Sequence, residues 1–420
     1  VDSTMATADS DGSSTNPMEI ELNRLLSASG GKTKLRLAVF GGGNAYGIGL
    51  ARRFDAFPYL LSDSVDNFAH TSTGPNYFSV CTETVVGDDK IYDVIIFDYW
   101  LKYGEGLAEL VRRLRQRYPR AIMVFVRTWL PIHFKRKSAE NETDVQTIEQ
   151  WKQSVGISDE TDVNTLIQML REDDGYWYLP THNNADAAVT EIAQSVNGID
   201  FKFPVLDDPK DTLIAYLSRF DVHKHVHVNE LGHQLIANAL YVQIEATLLS
   251  RGESESDQVG HSMHGDWGNG DECMLWFNNG ATAGLTYSDT IAMDEFESRD
   301  GWYALEVNEE GWIDVPNKLH DEDFTTRTLW LSYMTSPEDD VYPQLEITVS
   351  DTSTVLETVH KNDKHHSIRT VAVGQVPQGE TTRIYLKPLN TTSKPFRIVG
   401  TSFTNEIATP SEFGFGPTHG

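Results

Sequence analysis

The residues best suited to chemistry are four histidines, one glycine turn and two strand-end side chains. His223, His225 and His227 alternate along an extended segment, and His233 follows them. Side chains two apart on an extended chain share a face, so these imidazoles can converge on a metal or one of them can take a proton. No carboxylate stands where it would complete a metal shell, so no metal and no cofactor are expected; His223, His225 and His227 are the alternative ligand set. Upstream, "LAVFGGGNAYGIGLARRF", residues 37–54, passes from an apolar strand through Gly41, Gly42 and Gly43 into a helix. Such a turn presents a nucleophile or cradles a phosphate at a helix N-terminus. Gly43 has no side chain to attack with, and the stretch matches neither the nucleotide loop nor the dinucleotide fingerprint, so a tight turn is the expectation. Asp98 and Tyr99 end a second apolar strand, where open α/β sheets bind ligands. They could hydrogen-bond a sugar, act as a substitute acid/base group, or cap the sheet end. Tyr46, His70, Trp100 and Trp129 either line the same crevice or belong to the core.

The elements that position these groups follow from periodicity. "LRLAVFG", "YDVIIFDYW" and "AIMVFVRTW" are continuous apolar runs, as in strands buried on both faces. Leu107, Leu110, Val111 and Leu114 recur at helical spacing between the last two. This alternation predicts right-handed crossovers and a three-layer α/β/α fold around a parallel sheet. Residues 138–200 read as a helical insertion with loops, with helices over 141–153 and 162–172, and "GIDFKFPVL" as a further strand. A long helix over 229–250 is capped by Asn229 and keeps Leu231, Leu235, Ala239, Val242, Ala246 and Leu249 on one face. Beyond a polar linker at 251–270 the period changes to two, and five strand-like runs from "TLWLSYM" to "FRIVGTSFTNEI" predict an antiparallel β-sandwich, jelly-roll-like, over 271–408. Residues 1–33 and 409–420 read as tails, the first with one short helix over Met18–Leu26.

Composition narrows the partners. The chain has 420 residues, 62 acidic against 34 basic, for a formal charge of -28. So anionic a surface disfavours nucleic acid and anionic membranes. No apolar run is long enough to span a bilayer. Cys81 and Cys273 are expected to be two buried thiols, one bridge between domains being the alternative. The first residue is Val1, as in a trimmed or processed product. Asn141 and Asn390 open glycosylation sequons, which suit an extracellular or cell-surface location.

Taken together, the Phe40–Gly43 turn and "HVNELGH", His227 to His233, resemble the first and last blocks of the SGNH (GDSL-type) hydrolase superfamily, over about residues 34–250. The resemblance implies a flavodoxin-like sheet and a serine, histidine and aspartate acting together, with an oxyanion hole of backbone amides, a glycine and an asparagine. Carried over, the serine falls on Gly43, the aspartate on Lys224 and the oxyanion asparagine on Lys102; His227 alone survives. Loss of the nucleophile typically removes a factor of about 10⁶ in turnover. The crevice implied by the family comprises Gly42, Gly43, Asn44, Tyr46, Gly74, Asp98, Tyr99, Lys102 and His227. The β-rich part is similar to the C-terminal module that follows degenerate hydrolase domains in algal and other eukaryotic surface proteins, its Gly301-Trp302 and Gly311-Trp312 units being the specific feature. These tryptophans are expected to plug the sandwich core; the alternative is stacking on sugar. The expected function is a non-catalytic glycan- or protein-binding component of an extracellular or cell-surface assembly. The rival is an active carbohydrate esterase or acetyl-transfer enzyme, with His227 as base and a relocated nucleophile at Ser62, Ser64, Thr71 or Ser72.

Overall fold

A computed structural model describes residues 34–70, 74–86, 90–99, 104–128, 133–138, 145–158, 161–179, 183–202, 208–219, 227–252, 272–275, 285–295, 303–317, 325–360, 366–379 and 381–404. The tails, the Met18–Leu26 helix and all but the first two residues of the linker fall outside them.

The α/β half runs β1 (Leu37–Gly41), α1 (Gly43–Tyr46), α2 (Phe57–Leu61), β2 (Val65–Asn67), α3 (Pro75–Val86), β3 (Val94–Asp98), α4 (Gly104–Arg117), β4 (Ile122–Arg127), β5 (Lys135–Lys137), β6 (Val145–Thr147), α5 (Ile148–Ser154), α6 (Val163–Glu172), β7 (Tyr176–Tyr178), α7 (Asn183–Ser195), β8 (Ile199–Lys202), α8 (Pro209–Arg219) and α9 (Glu230–Gly252). A parallel sheet takes the order β2-β1-β3-β4-β8. Its side chains alternate between two cores. Leu37, Val39, Val94, Ile96 and Val124 pack with Phe57 of α2 and Leu235, Ile236 and Leu240 of α9. Ala38, Phe40, Ile95, Phe97 and Phe125 pack with the α3 and α4 side, including Leu107, Leu110, Val111 and Leu114. In the central strands β1, β3 and β4 neither face meets water, so they carry no polar alternation.

Two local expectations are corrected. The helix expected over 141–153 starts at Ile148, because Thr147 and Gln150 form a reciprocal capping box. Val145–Thr147 is instead extended and joins β5 and β7 in a three-stranded antiparallel sheet. Asn229 caps α9, its Oδ1 accepting the Gly232 N–H at 3.0 Å. The buried stripe of α9 nevertheless passes through Ile236, Leu240 and Ile244, while Val242 and Leu249 of the expected face are exposed. This helix carries apolar residues on more than one side, and the sheet covers only one of them.

The β-rich half runs β9 (Glu272–Leu275), β10 (Thr286–Tyr287), β11 (Ile291–Glu295), β12 (Tyr303–Val307), β13 (Gly311–Pro316), β14 (Thr326–Thr335), β15 (Leu345–Val349), β16 (Thr352–Leu356), β17 (Ser367–Pro377), β18 (Thr381–Pro388) and β19 (Phe396–Thr404). Two antiparallel sheets, β10-β13-β18-β15-β16 and β11-β12-β19-β14-β17 with β9 on β19, enclose a core that includes Leu305, Ile313, Leu331, Ile347, Ile384 and Ile398.

The halves share one hydrophobic cluster. Met334, Val341, Tyr342, Ile368 and Val399 of the sandwich belong to the cluster that holds Tyr77, Phe78 and Val86 of α3, and α3 packs on β9, β17 and β19. Cys81, in the middle of α3, is disulfide-bonded. The chain's one other cysteine, Cys273, lies on β9. The expectation of two thiols is therefore corrected: the docking of α3 on β9 joins segments that sequence distance keeps apart.

Candidate functional site

The glycine turn lies at the switch point of the sheet. The chain leaves β1 for β2 on one side, and β3 lies on the other, so the carboxyl ends of β1 and β3 meet where open α/β sheets generally bind ligands. Gly41 is in register with Asp98. A Cβ on Gly41 would stand 2.8 Å from both the Asp98 and the Ala45 Cβ atoms, so only glycine lets the two strand ends and α1 approach this closely.

Asp98 organises the turn. Its Oδ2 accepts the Ala45 N–H at 3.0 Å and its carbonyl the Gly42 N–H at 3.3 Å. The amide end of α1 thus already faces a carboxylate, and α1 is a single turn, so the phosphate-cradle alternative is set aside. Asp98 lies deep in the protein while keeping some accessible surface. Depth governs its ionisation: burial pushes its carboxyl up to about 6, against the opposing effect of the Ala45 N–H. Tyr99 beside it is buried; burial and then the Asp98 charge raise its hydroxyl well above the usual tyrosine range.

His227 stands over Gly43. A Cβ on Gly43 would overlap the His227 Nε2 and come within 2.9 Å of its Cδ2 and 3.2 Å of Ile48 Cδ1. The imidazole therefore fills the place from which a side chain at this turn would project. The neighbouring Val228 N–H donates to Asn44 Oδ1 at 3.4 Å, tying the histidine segment to the turn.

The side chains beside the turn are aromatic. The His70 ring lies 6.2 Å from Tyr46 and 6.3 Å from Phe78, its backbone N–H bonded to the Gly41 carbonyl. Burial and then the nearby Arg53 charge push His70 down to about 4. Arg53 itself lies 4.3 Å over Tyr46 and donates to the Asn67 carbonyl. Asn67, which sequence reasoning missed, donates to the Ala45 carbonyl at 2.8 Å and accepts the Ala69 N–H. The strand it ends, Val65-Asp66-Asn67, is too short and too polar to have marked it in the sequence.

Other expected groups lie elsewhere. His233 is fully buried; its Nδ1 accepts the Phe57 N–H at 3.2 Å and its ring stacks on Phe57. Burial and then the His227 charge lower it to about 4, so it packs as a neutral ring. Among the described residues no group of three or more His, Cys, Asp or Glu side chains is placed to hold a metal. Ser62 donates to the Leu35 carbonyl and accepts from Ser64, at the amino end of β1. With strands rising about 3.3 Å per residue, Gly43 is about 15 Å or more away, so neither serine reaches His227. Gly74 leads directly into α3. Trp312 is half-buried on the outer face of its sheet, alternating with buried Ile313, and the Arg383 guanidinium lies 4.1 Å over its ring. It is not the expected core plug, because strand alternation gives the inner face to Ile313 and Val315. Asn390 is exposed, its Oδ1 accepting the Gln344 N–H. Thr71, Ser72, Trp100, Lys102, Trp129, Asn141, His223, Lys224, His225 and Trp302 lie outside the described residues.

The shifted carboxyl gives a pH test. A folded-state pKa near 6 lies above the unfolded aspartate value, so Asp98 favours the fold below about 4, and this contribution is lost as pH rises through 6. Asp98→Asn is expected to raise Tm relative to wild type above pH 6, the gain vanishing near pH 4. Thermal melts across that range check it; a gain independent of pH would contradict the assignment.

No family model and no curated protein matches the chain. Among solved structures, a two-domain esterase active on acetylated mannans is similar over 93% of this chain and 96% of its own, with TM-score 0.45 and 12% identity. A family 35 carbohydrate-binding module from Clostridium thermocellum covers 32% of this chain and 97% of its own, with TM-score 0.24 and 10% identity. The C-terminal family 6 module of a laminarinase from Zobellia galactanivorans covers 32% and 99%, with TM-score 0.23 and 13% identity.

Proposed function

We propose that this protein is a hydrolase-like scaffold whose nucleophile turn is chemically silent and which acts by binding a glycan or a protein partner, as a component of an extracellular or cell-surface assembly. The observation that carries the reading is the position of His227 over Gly43. An acyl-transfer site needs a hydroxyl between the imidazole and the substrate carbonyl; here the ring itself occupies that interval. Asp98 is engaged in holding α1 rather than set to orient an imidazole.

The test is hydrolysis of 4-nitrophenyl acetate and of acetylated oligosaccharides by the full chain, with His227→Ala as control. Equal, background-level rates are expected, and no labelling by a fluorophosphonate probe. Turnover about tenfold or more above the control, accompanied by labelling of a serine, would overturn the reading.

A further inference from the structure

We propose that the cavity between β7 and the start of α8 binds a pyranose unit of a glycan, at a site separate from the Gly43 turn. The cavity has a volume of about 420 Å³ and is lined by Gly175, Tyr176, Trp177, Asp208, Pro209 and Lys210. That is within the size range of small-molecule sites. The proposal rests on the glycan-binding half of the reading above and supplies the site which that reading leaves open.

The floor is built rigidly. Arg136, on β5, donates from Nε and Nη2 to the carboxylate of Asp173, and Trp177 Nε1 donates to the same carboxylate at 2.9 Å. The Gly175 backbone rests directly on this ion pair: a Cβ there would come within 2.5 Å of Arg136 Cζ. Lys210 then ties α8 to the end of α6 by donating to the carbonyls of Arg171 and Asp173.

The rim offers three complementary contacts. Tyr176 is 65% exposed, its ring aligned with Tyr178 at 6.1 Å and 13°, while Lys137 lies 5.3 Å over Tyr178. Asp208 uses Oδ1 to accept the Lys210 N–H, and among the described residues its Oδ2 accepts nothing. An ammonium has three N–H donors, and the two carbonyls leave Lys210 one. One acceptor, one donor and an exposed ring match a sugar's neighbouring hydroxyls and its C–H face. A carboxylate at the rim disfavours anionic ligands, and the polar pair disfavours purely apolar ones.

The test uses the full chain and a mixture of neutral pentasaccharides: β-1,4-linked glucose, mannose and xylose, and β-1,3-linked glucose. Saturation-transfer NMR is expected to detect at least one, with titration of that ligand giving its Kd. Tyr176→Ala and Asp208→Asn are each expected to weaken it about tenfold, while Tyr176→Phe, which keeps the ring, recovers the affinity that Tyr176→Ala loses. Tyr176 is exposed, so an unaltered thermal melt accompanies its loss. Binding indifferent to Tyr176→Ala and Asp208→Asn would overturn this site and leave the glycan-binding reading standing. Absence of binding by every pentasaccharide would overturn both.

Discussion

Gly43→Ser is expected to yield no esterase activity and to cost about 1–3 kcal/mol of stability, the usual penalty for overfilling a packed position. Adding one carbon at residue 43 drives it into the His227 ring, and Ile48 closes the adjacent direction. A productive serine needs its Oγ about 3 Å from the imidazole nitrogen, with its own Cβ farther off. The hydroxyl therefore cannot be restored without moving the ring that should activate it. The same geometry makes the cost recoverable: Gly43→Ser combined with His227→Ala should regain most of the lost stability, a coupling that independent sites would not show. Denaturant titration of the four proteins measures it, alongside 4-nitrophenyl acetate turnover. Strict additivity, or His227-dependent turnover in the serine variant, would show that the ring does not block the position.

Cys81→Ser is expected to lower stability by about 2–4 kcal/mol, as is typical for loss of a bridge that closes a long loop. Its effect should reach the surroundings of the glycine turn, because Phe78, three residues earlier in α3, packs on His70, Tyr99 and Phe40. Hydrogen exchange should therefore quicken in α3 and at the carboxyl end of β3, as well as where α3 meets the sandwich. An unchanged melting temperature on reduction would contradict this, as would faster exchange confined to β9.

Much of the architecture was legible. The strands β1, β3 and β4 are buried on both faces, so composition alone marked them, and the stripe on α4 had a single apolar side. The placement of the turn was legible for the same reason: Gly41–Gly43 and Asp98 sit at the carboxyl ends of two such strands, a position set by topology. The small sheet was not, because a three-residue strand is too short to display a period; the Thr147–Gln150 capping box was the signal that would have moved the helix start. Trp312 illustrates a different limit. Alternation divides β13 into two faces, but which face meets the core depends on its partner sheet. The roles of His233 and Cys81 depend on contacts with Phe57 and with the second half, and no local pattern encodes those.

The shared cluster around α3 also governs what can be cut away. Severing the chain after Gly252 would remove Met334, Tyr342, Ile368 and Val399 from Tyr77, Phe78 and their neighbours, baring a greasy flank on the remaining fragment. Modules strung on a linker can be shuffled between proteins. These two halves, welded through a helix that also packs beside the glycine turn, are constrained to fold and be inherited as a single piece.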